Sequence, residues 1–297
     1  MLRNKETRRA FTLVELMMVI TIIIVLVGLS TWGVFATVAA QQKRNTEATM
    51  GTVKKLLDAR WNAVITDAKK ETPSAEVILL AGGDTEMARA RVIWVKVRLI
   101  EAFPMTYDEV NTALAVTTYI PLDRRKSHFK KYQAALKGKT GGGKGESAAC
   151  LLLALTTLGS DSTPVEDQLA NSIADTDGDG VKELVDGWRE PFRFFRFATG
   201  DNVKQANPNA SGGPFFDPVD GDGKLLTRGW YGNALRLTYE TQFKHTISPD
   251  NGSSAFYVIP VIASAGKDRD WGVAPTDVNP TGPGAADNIF SFTLREN

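Results

Sequence analysis

Between Asp175 and Asp186 the chain reads D-T-D-G-D-G-V-K-E-L-V-D. Carboxylates stand at the first, third, fifth, ninth and twelfth places of this stretch: Asp175, Asp177, Asp179, Glu183 and Asp186. Gly180 takes the sixth place. A hard divalent cation is held by about six to eight oxygens, and alternating acids converge on one point when a glycine turns the backbone between them. The spacing points to cation chemistry, with calcium as the expected ion. Two places depart from the usual helix-flanked calcium loop: Asp186 replaces a bidentate Glu, and Lys182 stands where an apolar residue is usual. The plainer reading of the same residues is a solvated acidic turn.

A second carboxylate is set apart by its surroundings. Between Ala10 and Lys43 the one formal charge is Glu15, and from Leu16 to Ala40 there is none. Roughly 20 apolar residues in a helix cross a bilayer core, so this run predicts a retained membrane-spanning helix within 11–40. The flank before it carries Arg3, Lys5, Arg8 and Arg9 against Glu6. That bias predicts a cytoplasmic N-terminus and a single pass, with the rest of the chain outside the cytoplasmic membrane. A carboxylate inside an apolar span is costly, and a cationic partner offsets the cost. No Lys or Arg of the span can serve. A chain cut just before Phe11 would expose an amine four residues from Glu15.

The run A-F-T-L-V-E-L-M-M-V-I-T-I-I-I-V-L from Ala10 resembles the processing signal of type IV prepilins and type II secretion pseudopilins. The resemblance implies that residues 1–10 are a leader, cut between Ala10 and Phe11 by a prepilin peptidase, with N-methylation at Phe11. It implies that Glu15 pairs with the terminal amine of a neighbouring subunit during assembly. The partners implied are the peptidase, other pilin or pseudopilin subunits, and an inner-membrane assembly platform with its ATPase. Two departures stand out. Ala10 replaces the usual Gly before the cut, and the proline common about twenty residues into the helix is missing near Trp32.

These residues need elements to hold them. Val53, Leu56, Leu57, Trp61, Val64 and Ile65 recur at three- and four-residue steps, which predicts that the first helix continues over Gln41–Lys70. Further helices are predicted over Glu86–Phe103, stopped by Pro104, and over Glu146–Leu158, which contains Cys150. Between these two lies a basic stretch, Ser127–Lys144, ending in the glycine-rich G-K-T-G-G-G-K-G-E. Period-two patterns predict strands at Pro191–Phe197, Asn233–Tyr239, Phe256–Ala263 and Ile289–Leu294. The expected class is α+β. The family resemblance sharpens it to a lollipop: a long N-terminal transmembrane helix packed on a C-terminal antiparallel sheet, with extra helices inserted. The expected globular part is 41–297, helical over about 41–160 and sheet and loop over about 161–297.

Two C-terminal segments also resemble the major pseudopilins. D-G-W-R-E-P-F-R-F from Asp186 matches an element of theirs in which Trp188 and Phe192 anchor the core, with Arg189 where that family has Gly. S-A-G-K-D-R-D-W-G from Ser264, with Asp287 downstream, matches their calcium loop. The resemblance implies a second calcium site at Ser264, Asp268 and Asp287, with Asp270 and Asp277 as further donors.

Other functions are disfavoured. With 35 Lys+Arg against 34 Asp+Glu, the chain lacks the basic excess of a nucleic-acid binder. One cysteine excludes an intramolecular disulfide. His128 and His245 have no evident nucleophile or ligand partner, and no HExxH or CxxC occurs. The glycine-rich stretch is a poor phosphate loop, because Gly145 stands where Ser or Thr must bind magnesium. The expectation is a structural filament subunit rather than an enzyme. The alternatives are a membrane-anchored calcium-dependent binding protein and an anchored hydrolase.

Overall fold

The computed structural model describes residues 12–112, 114–159, 163–198, 217–226, 230, 234–243, 258–273 and 280–294. Ala10, Phe11 and Asp277 lie outside them.

The first helix, α1, runs unbroken over Leu13–Lys70. Its start is fixed by a capping box. Thr12 Oγ1 accepts the Glu15 N–H and Glu15 Oε2 accepts the Thr12 N–H, both at 3.2 Å. Two amide donors that a helix start leaves unpaired are thereby satisfied. From Met50 onward α1 buries a stripe of Met50, Val53, Leu57, Trp61 and Ala68, the spacing of one helical face. Each such aliphatic side chain contributes roughly 1.5–3 kcal/mol when fully buried.

That stripe packs on α3, Met87–Ala102. Trp61 lies 5.2 Å, centroid to centroid, from Phe103 at its end. Around α3 stand α2 (Ala75–Ala81), α5 (Leu114–Tyr119) and α6 (Ser127–Ala135), with α4 (Tyr107–Asn111) and α7 (Glu146–Leu158) packed on α6. A helix enclosed in this way reads apolar on most sides, and α3 does, yet it also buries Arg89, Lys96, Arg98 and Glu101. Each has a partner, as buried charges require. Lys96 pairs with Asp217. Arg98 donates to Glu71 at 2.8 Å and to Glu101 at 2.6 Å, while Lys126 holds the other Glu71 oxygen at 2.7 Å. Burial by itself would raise the Glu71 carboxyl, but Lys126 and Arg98 outweigh it and hold it below the usual value. At Glu101 burial wins and the carboxyl is raised.

After α8 (Val165–Gln168) come two small sheets. Strands β1 (Ile173–Ala174) and β2 (Glu183–Leu184) pair antiparallel, Ala174 opposite Glu183. Strands β3 (Arg193–Ala198), β4 (Ile259–Ser264) and β5 (Ile289–Phe290) form an antiparallel sheet in that order. Its two faces alternate as a pleat demands. Phe194, Ile262 and Ile289 join the main core, while Phe195, Val261, Ala263 and Phe290 gather around Trp271 on the other side.

This overturns the expected architecture. The described chain is mostly helical, and the sheets are small. The long helix packs chiefly on α3, not across a sheet. Of the residues expected as a strand at Asn233–Tyr239, the described ones belong to a helix, α9 (Ala234–Phe243). Leu235, Tyr239 and Phe243 recur every four residues, and the Tyr239 and Phe243 rings lie tilted with centroids 4.3 Å apart in the core. The expected strand at Ile289–Leu294 keeps only its first two residues before a turn.

The membrane expectation is also corrected. Among the described residues no helix is long and apolar enough to cross a membrane. The single-pass inner-membrane placement falls with that finding.

Candidate metal centre

The acidic stretch is the turn between β1 and β2. Gly178 and Gly180 adopt φ of 77° and 84°, a left-handed conformation that costs glycine little. The turn is tied by its own acids. Asp175 accepts the amides of Gly178 and Gly180 at 2.7 and 3.1 Å. Asp177 accepts that of Asp179 at 3.1 Å, and Asp179 accepts that of Val181 at 2.6 Å. Glu183 reaches back from β2 and accepts the Thr176 amide at 2.7 Å. The result is convergence: oxygens of Asp175, Asp177, Asp179 and Glu183 all lie within 4.8 Å of one another. This group can hold a metal ion.

Glu183 differs from the other three. It is fully buried, and its Oε1 has no hydrogen-bond partner. Burial pushes its carboxyl above the usual range, the Thr176 hydrogen bonds oppose this, and Asp177 and Asp175 push it further up. A buried oxygen without a donor, beside three more carboxylates, is the condition that a cation relieves.

The walls of the site come from elsewhere in the chain. The glycine-rich loop before α7 lies against the turn. A Cβ on Gly143 would sit 2.7 Å from Asp177 Oδ2, and one on Gly145 2.6 Å from Glu183 Cγ. Glu146 anchors this loop by accepting the amides of Gly142, at 3.2 Å, and of Tyr107. Lys139 donates to the Asp179 carbonyl oxygen. The Tyr107 phenol is held protonated chiefly by burial and then by the negative charge of Asp179. On the outer side Gly180, Val181 and Lys182 wall an apolar groove of about 520 Å³ against α7 residues Leu152 and Leu153.

Asp186, the twelfth residue of the stretch, does not join the group. Its carboxylate accepts the amides of Trp188 and Glu190 at 2.8 and 3.0 Å and the Ser264 hydroxyl at 2.6 Å. It closes the turn into β3 and ties that turn to β4. Ser264 is thereby occupied too. Asp268, Asp270 and Asp287 lie together in the loops after β4 and before β5 but serve backbone amides. Asp287 Oδ2 accepts those of Lys267 and Asp268 at 2.6 and 3.2 Å, and Asp268 accepts that of Asp270 at 2.9 Å. Among the described residues the converging acidic group is the first one, not this second loop.

Four contributors escaped the sequence reading: Tyr107, Lys139, Gly143 and Gly145. The available signal was glycine density, which marks close backbone approach as readily as flexibility. Compared with known proteins, the chain matches no family model, no curated protein and no solved structure.

Proposed function

We propose that the chain is a structural subunit of a filament of the type IV pilin or type II secretion pseudopilin kind. In this reading a prepilin peptidase removes residues 1–10, Phe11 is N-methylated, and an assembly platform with its ATPase adds the subunit to others. The protein works by packing and charge pairing, not catalysis.

One observation carries the reading. A single 58-residue helix has its far half built into the globular core while the side chains from Leu13 to Val27 stand exposed and almost wholly apolar. Contiguous apolar surface of that extent calls for a cover. The same helix of another copy supplies one, and repetition by a rotation that does not close gives an open filament. The Phe11 and Glu15 matches to the prepilin signal support the same conclusion.

The metal centre is then a brace for a body without disulfides, with calcium as the proposed ion. A hard-oxygen group open to water at Asp175 and Asp177 suits its loose coordination better than the strict octahedron of magnesium.

Mass spectrometry of protein isolated from its host tests the central claim. A chain beginning at N-methylated Phe11 is expected. A chain retaining Met1 would remove the filament reading and leave a calcium-dependent binding protein as the better account.

A further inference from the structure

We propose that Lys139 sets the affinity and the charge selectivity of the Asp175, Asp177, Asp179 and Glu183 site. The inference rests on the reading of those residues as a cation site, which the buried, unpartnered Oε1 of Glu183 supports independently of the clustering.

Lys139 is held at the site from both ends. Its backbone N–H donates to Leu136 at 3.1 Å, and its carbonyl accepts from Asn111 Nδ2 at 3.1 Å. Its ammonium donates to the carbonyl oxygen of Asp179, itself one of the converging acids. A Cβ on Gly180 would lie 3.4 Å from Nζ. Among the described residues this ammonium makes no ion pair with a carboxylate. A fixed positive charge therefore stands at the rim of a group of four acids without neutralising any of them by contact.

The consequence follows from Coulomb's law. The attraction between the ammonium and the carboxylates is the same with and without an ion, so it cancels from the affinity. A bound ion is repelled in proportion to its charge, which weakens binding more for a trivalent than for a divalent guest. A lysine that merely shaped the loop would change all affinities alike.

The test uses the full chain, with Lys139→Met, Lys139→Gln and Lys139→Arg, titrated with Ca²⁺ by calorimetry and with Tb³⁺ by luminescence at low ionic strength. A unit charge a few ångströms away in a water-like medium corresponds to about tenfold in the Kd of a divalent ion and about thirtyfold for a trivalent one. Lys139→Met is expected to tighten Ca²⁺ by about tenfold and Tb³⁺ by about thirtyfold, with the gain shrinking in high salt. Lys139→Arg is expected to stay within about twofold of the parent for both ions, since it keeps the charge. Lys139→Gln reads the same ratio should the Met variant fail to fold. An equal change for both ions, or a loss of affinity in both neutral variants, overturns the role given to Lys139 and leaves the cation site standing. A parent chain that binds neither ion overturns both.

Discussion

Gly145 lies so close to Glu183 that a Cβ there would approach Glu183 Cγ to 2.6 Å. The contact joins the start of α7 to the buried carboxylate of the group that can hold a metal ion. Gly145 itself has an ordinary φ of −90°, so space rather than backbone conformation demands glycine. Gly145→Ala is expected to push the loop off Glu183, at about 1–3 kcal/mol of stability, and to weaken cation binding. Gly51→Ala is the contrasting case. It lies within α1 with nothing within 4 Å of its added Cβ, and should stabilise by about 0.5–1 kcal/mol. Denaturant midpoints that shift in opposite directions for the two variants would bear this out; equal shifts would refute it.

Arg189 occupies the position where the resembling family carries glycine, and its φ is 69°. A left-handed backbone costs an L-residue roughly 1–2 kcal/mol relative to glycine. What Arg189 gains in return is one exposed hydrogen bond from Nη1 to the Asn171 carbonyl at 3.0 Å. Exposed bonds of this kind contribute less than the strain, so Arg189→Gly is expected to raise stability by about 0.5–1 kcal/mol. A lower melting temperature for that variant would show that the turn is not strained.

The parts legible in the sequence are those written in consecutive residues. Met87–Ala102 and Glu146–Leu158 are helices because their apolar runs are long and bounded by Pro104 and by glycines. Arg193–Ala198 is a strand, its alternating aromatics serving two faces. Asp175 to Glu183 converge because one turn carries all four. Ala234–Phe243 was ambiguous: over a short window, Leu235 and Tyr239 satisfy period two and period four alike, and Phe243, which decides it, lies beyond. Lys139, Gly143 and Gly145 were hidden for another reason. Tertiary packing brings them to the site, and no local spacing announces that. T-x-x-E at Thr12–Glu15 is a readable helix start, though the charge of Glu15 alone suggests another role.

His128 predicts an acid-sensitive fold. Burial, and then the cations Lys126, Arg98 and Lys131, lower its pKa from 6.5 to about 4, and its Nε2 is buried without a partner. Above pH ~6.5 the ring is neutral folded or unfolded, and contributes no pH dependence. As pH falls below that value the unfolded chain takes up a proton that the folded chain refuses until about pH 4. Stability should therefore fall through this window, by about 2 kcal/mol at pH ~5. His128→Phe, which cannot protonate, should flatten the difference in unfolding free energy between pH ~7 and ~5. Parallel profiles for parent and variant would show that the ring is not excluded from water.

Under the proposed filament function Glu15 has a second role beside its cap, and one substitution separates the two. In the capping box it needs an oxygen acceptor for the Thr12 amide, which Gln supplies as well as Glu. For pairing with a neighbour's terminal amine it needs the negative charge, which Gln lacks. Glu15→Gln is thus expected to keep the helical content of the parent while filament yield falls at least about tenfold, because a desolvated ion pair is replaced by a buried unpaired amine. Thr12→Ala should behave in the opposite way. It removes the cap at a cost of about 1 kcal/mol and frays the first turn, yet leaves the charge, so filaments should still form. Helicity by circular dichroism and filament yield by sedimentation read the two roles separately. Undiminished filaments from Glu15→Gln would confine Glu15 to its cap, and assembly would then rest on the apolar face of α1 alone.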